Sequence, residues 1–213
     1  YRRVFWGVTE SRSLVDVINQ DDLIEDIGGD DKLGQPMFNL TWISDYGTGN
    51  LYLLAGTRKR TFPGPDGFPR IPFEIDQGAS RFDGELGQSR LDLAARWFIS
   101  GRGFDLGFSY FDGIARDPNF LPCLRQGSAF PGTENGPNCD LAAAIPEAPN
   151  LPPALLNLLR LLQLAPSETE IEAEVTQRVL ENLVLVPEYP RSRQFGIDAQ
   201  YVTGGLALRF EGL

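Results

Sequence analysis

The sequence predicts an all-β fold: part of a transmembrane, antiparallel, up-and-down β-barrel of about seven strands, with long loops on one side, one of them carrying helices. Three observations predict it. Seven runs are strand-like and most alternate apolar and polar residues with period two; the connections alternate between tight and long; and aromatic residues recur near both ends of the runs. Composition points the same way, with 23 Gly, 16 Pro, an aromatic share of 11% and a single Met in 213 residues.

The predicted strands are Arg3 to Glu10, Met37 to Tyr46, Asn50 to Arg60, Arg90 to Ser100, Phe104 to Gly113, Gln194 to Val202 and Leu206 to Glu211. In the fourth, Leu91, Leu93, Ala95, Trp97 and Ile99 share one face, and Arg90, Asp92, Ala94, Arg96 and Ser100 share the other. The fifth, sixth and seventh repeat the pattern: Phe104, Leu106, Phe108 and Tyr110; Phe195, Ile197, Ala199 and Tyr201; Leu206, Leu208 and Phe210. The third run, with Leu51 to Leu54 all apolar, leaves its facing open.

Asp45 to Asn50, Ser100 to Gly103 and Thr203 to Gly205 read as short hairpin turns. Between them lie Ser11 to Pro36, Thr61 to Ser89 and Ile114 to Arg193, each far longer than connections in compact soluble domains. All tight turns therefore fall at one end, the layout of bacterial outer-membrane barrels with short periplasmic turns and long extracellular loops. On this reading residues 1–213 are a fragment of a single barrel, and residues 114–193 form a long extracellular insert. That insert carries two predicted helices, Pro152 to Leu164 and Ser167 to Leu185, the second with Ser167 as N-cap and Glu170 three residues on.

The faces assign roles. The polar parity places Arg90, Asp92, Arg96, Asp105, Asp198, Arg209 and Glu211 in the lumen. The apolar parity places Tyr46, Trp97, Phe104 and Tyr201 in an aromatic girdle beside the short turns, and Phe38, Tyr110 and Phe195 in one at the far end. Alternation alone also suits a soluble barrel or sandwich with the apolar side chains turned inward.

Other functions find little support. The chain has no histidine, and no P-loop, nucleophile elbow or dinucleotide fingerprint occurs, so no catalytic residue, metal or cofactor is assigned and an enzyme is not expected. A net charge of −10 opposes nucleic-acid binding. The acids Asp21, Asp22, Glu25, Asp26, Asp30 and Asp31 lack the EF-hand spacing and read as solvated loop charge more readily than as a cation site. Cys123 and Cys139 share a Gly/Pro/Asn-rich stretch suited to a disulfide worth about 3 kcal/mol, in an oxidising compartment. Two free thiols are the alternative.

Val4-Phe5-Trp6-Gly7, then Leu14-Val15-Asp16-Val17-Ile18-Asn19, then Asp31-Lys32-Leu33-Gly34 and Pro36 resemble a family of proteobacterial outer-membrane porin-like proteins, many catalogued only as domains of unknown function. The resemblance covers Tyr1 to about Arg116 and, by type, the final hairpin, but not the insert from Pro118 to Pro190; Gln20 stands where that family leads one to expect Pro. It implies an outer-membrane barrel and brings no substrate, cofactor or catalytic residue. The expected function is thus a porin-like channel or passive transporter of small solutes, with outer-membrane lipid and those solutes as partners. Two alternatives are a soluble exported β protein binding an apolar ligand, and a surface adhesin or structural barrel acting through its loops.

Overall fold

A computed structural model describes residues 2–8, 13–22, 32–64, 67, 73–141 and 179–213. Among these residues the fold is all-β and mainly antiparallel. Its strands are β1 (Gln20–Asp21), β2 (Lys32–Leu33), β3 (Met37–Ser44), β4 (Gly47–Ala55), β5 (Glu74–Ile75), β6 (Arg81–Phe82), β7 (Leu91–Ser100), β8 (Phe104–Ile114), β9 (Asn119–Leu124), β10 (Leu183–Tyr189), β11 (Arg191–Thr203) and β12 (Leu206–Gly212). The chain divides into two compact units: residues 1–62, 81–119 and 188–213, and residues 63–80 and 120–187.

The first unit is built on a six-stranded antiparallel sheet in the order β12-β11-β8-β7-β4-β3. The sheet is open, with β3 and β12 as its edges, and no closed barrel is formed by these strands. Three hairpins, β3–β4, β7–β8 and β11–β12, turn at one end, while the longer connections leave from the other. Between β11 and β12 the Thr203↔Leu206 pair closes a two-residue loop, and both loop residues, Gly204 and Gly205, have positive φ of 55° and 85°. A side chain there would be strained, and this conformation matches the turn to the twist of the flanking strands.

Five of the seven predicted runs become strands of this sheet within a few residues, and a sixth is shifted. β4 starts at Gly47, ahead of the predicted Asn50, and stops at Ala55, short of Arg60. Its glycines read as turn residues, yet Gly49 lies in the strand beside the Trp97 ring, where an added Cβ would sit in tight contact at 3.0 Å. The run Arg3 to Glu10 is a correction: residues 3–7 form no regular strand, and only an isolated bridge joins Arg2 to Gln35. This stretch instead covers one face of the sheet, as described below.

In the second unit β9 and β5 pair with β10. The core holds Cys123, Val184 and Val186, with Ala79, Leu121 and Cys139 packed against it. Cys123 and Cys139 form the expected disulfide. Arg125 pairs with Glu74 at 2.7 Å. Neither β9 nor β10 was predicted from the sequence; Pro122 and Pro187 inside them weaken a strand reading. The helix predicted over Ser167 to Leu185 is corrected at its end: residues 179–182 are helical, but Leu183 already begins β10. Its earlier part, and Pro152 to Leu164, lie outside the described residues.

Candidate functional site

The pairing register fixes which side chains share a face of the six-stranded sheet. On one face stand Phe38, Leu40 and Trp42 of β3, Leu51 and Leu53 of β4, and Leu91, Leu93, Ala95, Trp97 and Ile99 of β7. Phe104, Leu106, Phe108 and Tyr110 of β8, Phe195, Ile197, Ala199 and Tyr201 of β11, and Leu206, Leu208 and Phe210 of β12 continue it. This apolar face is bare: Phe108 is 46% exposed, Phe195 74% and Leu208 57%. The register settles the third run, with Leu51 and Leu53 on this face and Tyr52 and Leu54 buried on the other.

The apolar band slants across the strands. On β7 it runs from Leu91 to Ile99, whereas on the paired β8 it stops at Tyr110, because Asp112 lies opposite Leu93. On β11 it stops at Phe195, beyond which comes Arg193 opposite Asp112. On β12 it is displaced again, to Leu206, Leu208 and Phe210 next to the hairpin. At that end Phe104, Leu106, Ala199, Tyr201, Leu208 and Phe210 line a shallow hollow of about 310 Å³.

The opposite face is polar and, over most of its length, covered. The cover is the N-terminal segment, whose Val4, Trp6, Val15 and Ile18 form one buried cluster with Tyr52, Leu54, Ala94 and Phe111 of the sheet. A side chain at Gly196 would run into Val15, so a bare position on β11 admits the segment. Asn19 ties the segment together: its amide donates to the carbonyls of Arg2 and Leu33, and its side-chain oxygen accepts from the Val4 amide at 2.8 Å. Trp6 meets Tyr52 edge to face and lies 5.7 Å from the Arg96 guanidinium.

Two fastenings hold this segment. At one end the Gln20 amide donates to the Arg116 carbonyl, and Arg116 Nε donates to the Ile18 carbonyl at 2.8 Å. At the other, the Glu211 carboxylate of β12 accepts from the Val8 amide at 2.7 Å, the Leu14 amide at 2.8 Å and the Ser13 hydroxyl at 2.9 Å. Burial raises the Asp16 pKa above its ordinary value, against the opposing pull of Lys32 at 3.4 Å. Asp21, read as loop charge, is engaged by Lys32 and by Arg60, and so is not free for a cation. Asp22 is also described; Glu25, Asp26, Asp30 and Asp31 lie outside the described residues.

The seven residues expected to line a lumen therefore separate into four groups. Asp92 and Asp198, each fully buried, are paired with Arg116 at 3.0 Å and with Arg96 at 2.8 Å. A side chain at Gly107 would strike both Asp198 and Arg96, so that bare position makes room for the pair. Burial pushes the Arg116 guanidinium below its ordinary pKa, and Asp92 opposes the shift. Glu211 holds the N-terminal segment. Asp105 accepts from Ser100, and Arg209 donates to Gln200, near the hairpin end where the polar face is open. Arg90, just before β7, reaches across to Asp112 at 3.1 Å.

Of the expected girdle residues, Phe38, Trp97, Phe104, Tyr110, Phe195 and Tyr201 stand on the apolar face, and Tyr46 lies exposed in the β3–β4 turn. Sequence reasoning missed Trp42, which is exposed on this face and meets Trp97 edge to face at 5.7 Å. Its parity with Phe38 and Leu40 was the available signal. The N-terminal cover was missed altogether, although its residues are largely those that carry the family resemblance.

Comparison of the chain with protein-family models, curated proteins and solved structures finds no match.

Proposed function

We propose that the six-stranded sheet is part of an outer-membrane β-barrel, a porin-like channel or passive transporter of small solutes, with its apolar face against lipid and its polar face towards the lumen. The observation that carries this reading is the inversion of the two faces. A soluble sheet hides its apolar side chains and wets its charges; here Phe195 is 74% exposed while Asp92 and Asp198 are fully buried. A broad exposed apolar face needs an apolar partner, and a bilayer covers it at every point.

The slant of the band supports the same reading. Strands of membrane barrels tilt by roughly 35–45°, so a band level with the membrane must step along the strands from one to the next. Strand lengths of 8 to 13 residues in β3, β4, β7, β8 and β11 suit spanning strands. The disulfide suits an exported protein, and the resemblance in the N-terminal motifs adds to the case. Closure requires further strands at the β3 and β12 edges, since bacterial barrels begin at eight. Within the barrel, the N-terminal segment narrows the lumen, and Asp105, Gln200 and Arg209 contribute mixed polarity to its open part.

The alternative of a soluble exported protein that binds an apolar ligand draws on the hollow between β8, β11 and β12. Fractionation and bilayer recording of the full-length protein separate these readings. The channel reading expects recovery with outer membranes, a detergent requirement and stepwise conductance. Recovery in the aqueous phase without detergent supports the soluble ligand binder; insertion with no conductance supports a barrel that acts through its loops.

A further inference from the structure

Asp112 interrupts the apolar face at the end where the long connections leave, and it gathers arginines. Its carboxylate accepts two hydrogen bonds from Arg191, at 2.9 and 2.8 Å, one from Arg193 at 3.0 Å and one from Arg90 at 3.1 Å. One carboxylate thus orders three guanidinium groups, each with five N–H donors in a fixed plane. Neighbouring acids do not cancel the charge. Asp83 accepts from the Arg191 amide at 3.3 Å, and Asp92, 3.8 Å from Arg90, has its closer partner in Arg116 at 3.0 Å. Counting Arg90, Arg116, Arg191 and Arg193 against Asp83, Asp92 and Asp112 leaves a positive excess in a chain whose net charge is −10.

Position gives this excess a purpose. The strand pair next to Asp112–Arg193 is Tyr110–Phe195, whose rings lie 4.8 Å apart, and from there the apolar face begins. Arg193 is 62% exposed on the same face. Apolar surface, then aromatic rings, then guanidinium groups follow one another along two adjacent strands, the order in which a lipid presents its chains, interface and phosphate. We propose that Arg191, Arg193 and Arg90, positioned by Asp112, bind the phosphate group of a membrane lipid at the long-loop rim. The inference rests on the reading that the apolar face meets lipid, and it adds a site with a stated headgroup chemistry.

The test uses full-length protein in a non-phosphate detergent, with purified lipid A as probe, its dephosphorylated form as control, and native mass spectrometry to count retained lipid. Wild type is expected to retain lipid A at least tenfold better than the dephosphorylated form, and the Arg191→Gln/Arg193→Gln protein to lose that preference. An Arg193→Lys protein should keep part of it, because charge survives while the planar fork does not. Heat-modifiable migration establishes that each variant is folded. Equal retention of the two lipids, or an unchanged preference in the double variant, overturns the site while leaving the barrel reading intact. Displacement of lipid A by millimolar inorganic phosphate overturns the lipid assignment in favour of a free anion. Failure of every variant and of wild type to enter detergent or membranes overturns the barrel reading, and with it this proposal.

Discussion

The two faces of the six-stranded sheet obey opposite rules. Among the described residues, nothing is laid over the centre of the face rich in Leu, Phe and Trp, whereas the face bearing Asp92, Arg96 and Asp198 is closed over by the N-terminal segment. The buried charges tolerate this because each has a partner at about hydrogen-bond distance, Arg116 to Asp92 and Arg96 to Asp198. The difference teaches that polarity alone does not place a side chain in water. What covers a face matters as much as what lies on it, and the covered face depends on paired charges while the bare one depends on its surroundings.

The largest expected effect is on the covered face. Asp92→Ala removes the acceptor for Arg116 and for the Ile114 amide, and strands a buried guanidinium at an expected cost of about 3–5 kcal/mol. Urea unfolding in detergent should show it, and adding Arg116→Met should recover the part owed to the stranded charge but not the bond to the Ile18 carbonyl. Asp105→Ala, on the open part of the same face, should cost less than about 1 kcal/mol. Equal costs at Asp92 and Asp105 would remove the distinction between covered and open polar surface. Arg96→Leu belongs with Asp92→Ala, because it leaves the buried Asp198 without its ion-pair partner.

Next comes the bare face. Phe108→Arg and Phe195→Arg meet no crowding within the chain, since both residues are 46% exposed or more. A soluble protein should therefore accept them. Against lipid, an arginine near the midplane costs about 2–4 kcal/mol, so membrane assembly measured by heat-modifiable migration should fall sharply for Phe108→Arg. Full assembly of both variants would contradict lipid contact.

A smaller effect tests the joint between the faces. Glu211→Gln keeps the shape of the fastening but exchanges a carboxylate for an amide that accepts through one oxygen only, an expected loss of about 1.5–3 kcal/mol in the hold on the segment. In planar bilayers the variant should show larger and noisier conductance steps. Steps identical to wild type would mean that the segment does not narrow the path.

Much of the sheet was legible because period-two alternation is a local property: Leu91 to Ser100 and Phe104 to Gly113 display it without reference to any partner. The β7–β8 and β11–β12 hairpins were legible through their glycines. What lay beyond reach was contact between distant residues. Nothing local in Val4 or Trp6 distinguishes a strand from an extended segment packed on Tyr52 and Phe111, and Asp92 is as polar when paired beneath that segment as it would be in water. The arginine cluster joins Arg90, Asp112, Arg191 and Arg193, which only the β7–β8–β11 register brings together. β9 and β10 were lost because proline and mixed polarity mask short strands whose pairing is non-local.

The smallest effect distinguishes how firmly the cover is seated as pH changes. Burial raises the folded-state pKa of Asp16 above its ordinary value of 3.8, so the folded protein binds a proton there more readily than the unfolded chain. The stability this supplies is complete below pH 3.8 and is lost as pH rises through the raised value. Other carboxylates have their own dependence, so the informative quantity is a difference. The stability of wild type relative to Asp16→Asn should decline as pH rises across that window, then level off at neutral pH, where the Lys32 ion pair limits the cost of the buried charge. Because the Trp6 amide donates to the Asp16 carboxylate at 3.3 Å, exchange of that amide reports on the segment directly. A difference that rises with pH would mean that Lys32 outweighs burial, and that the segment is held by an ion pair more than by its apolar contacts.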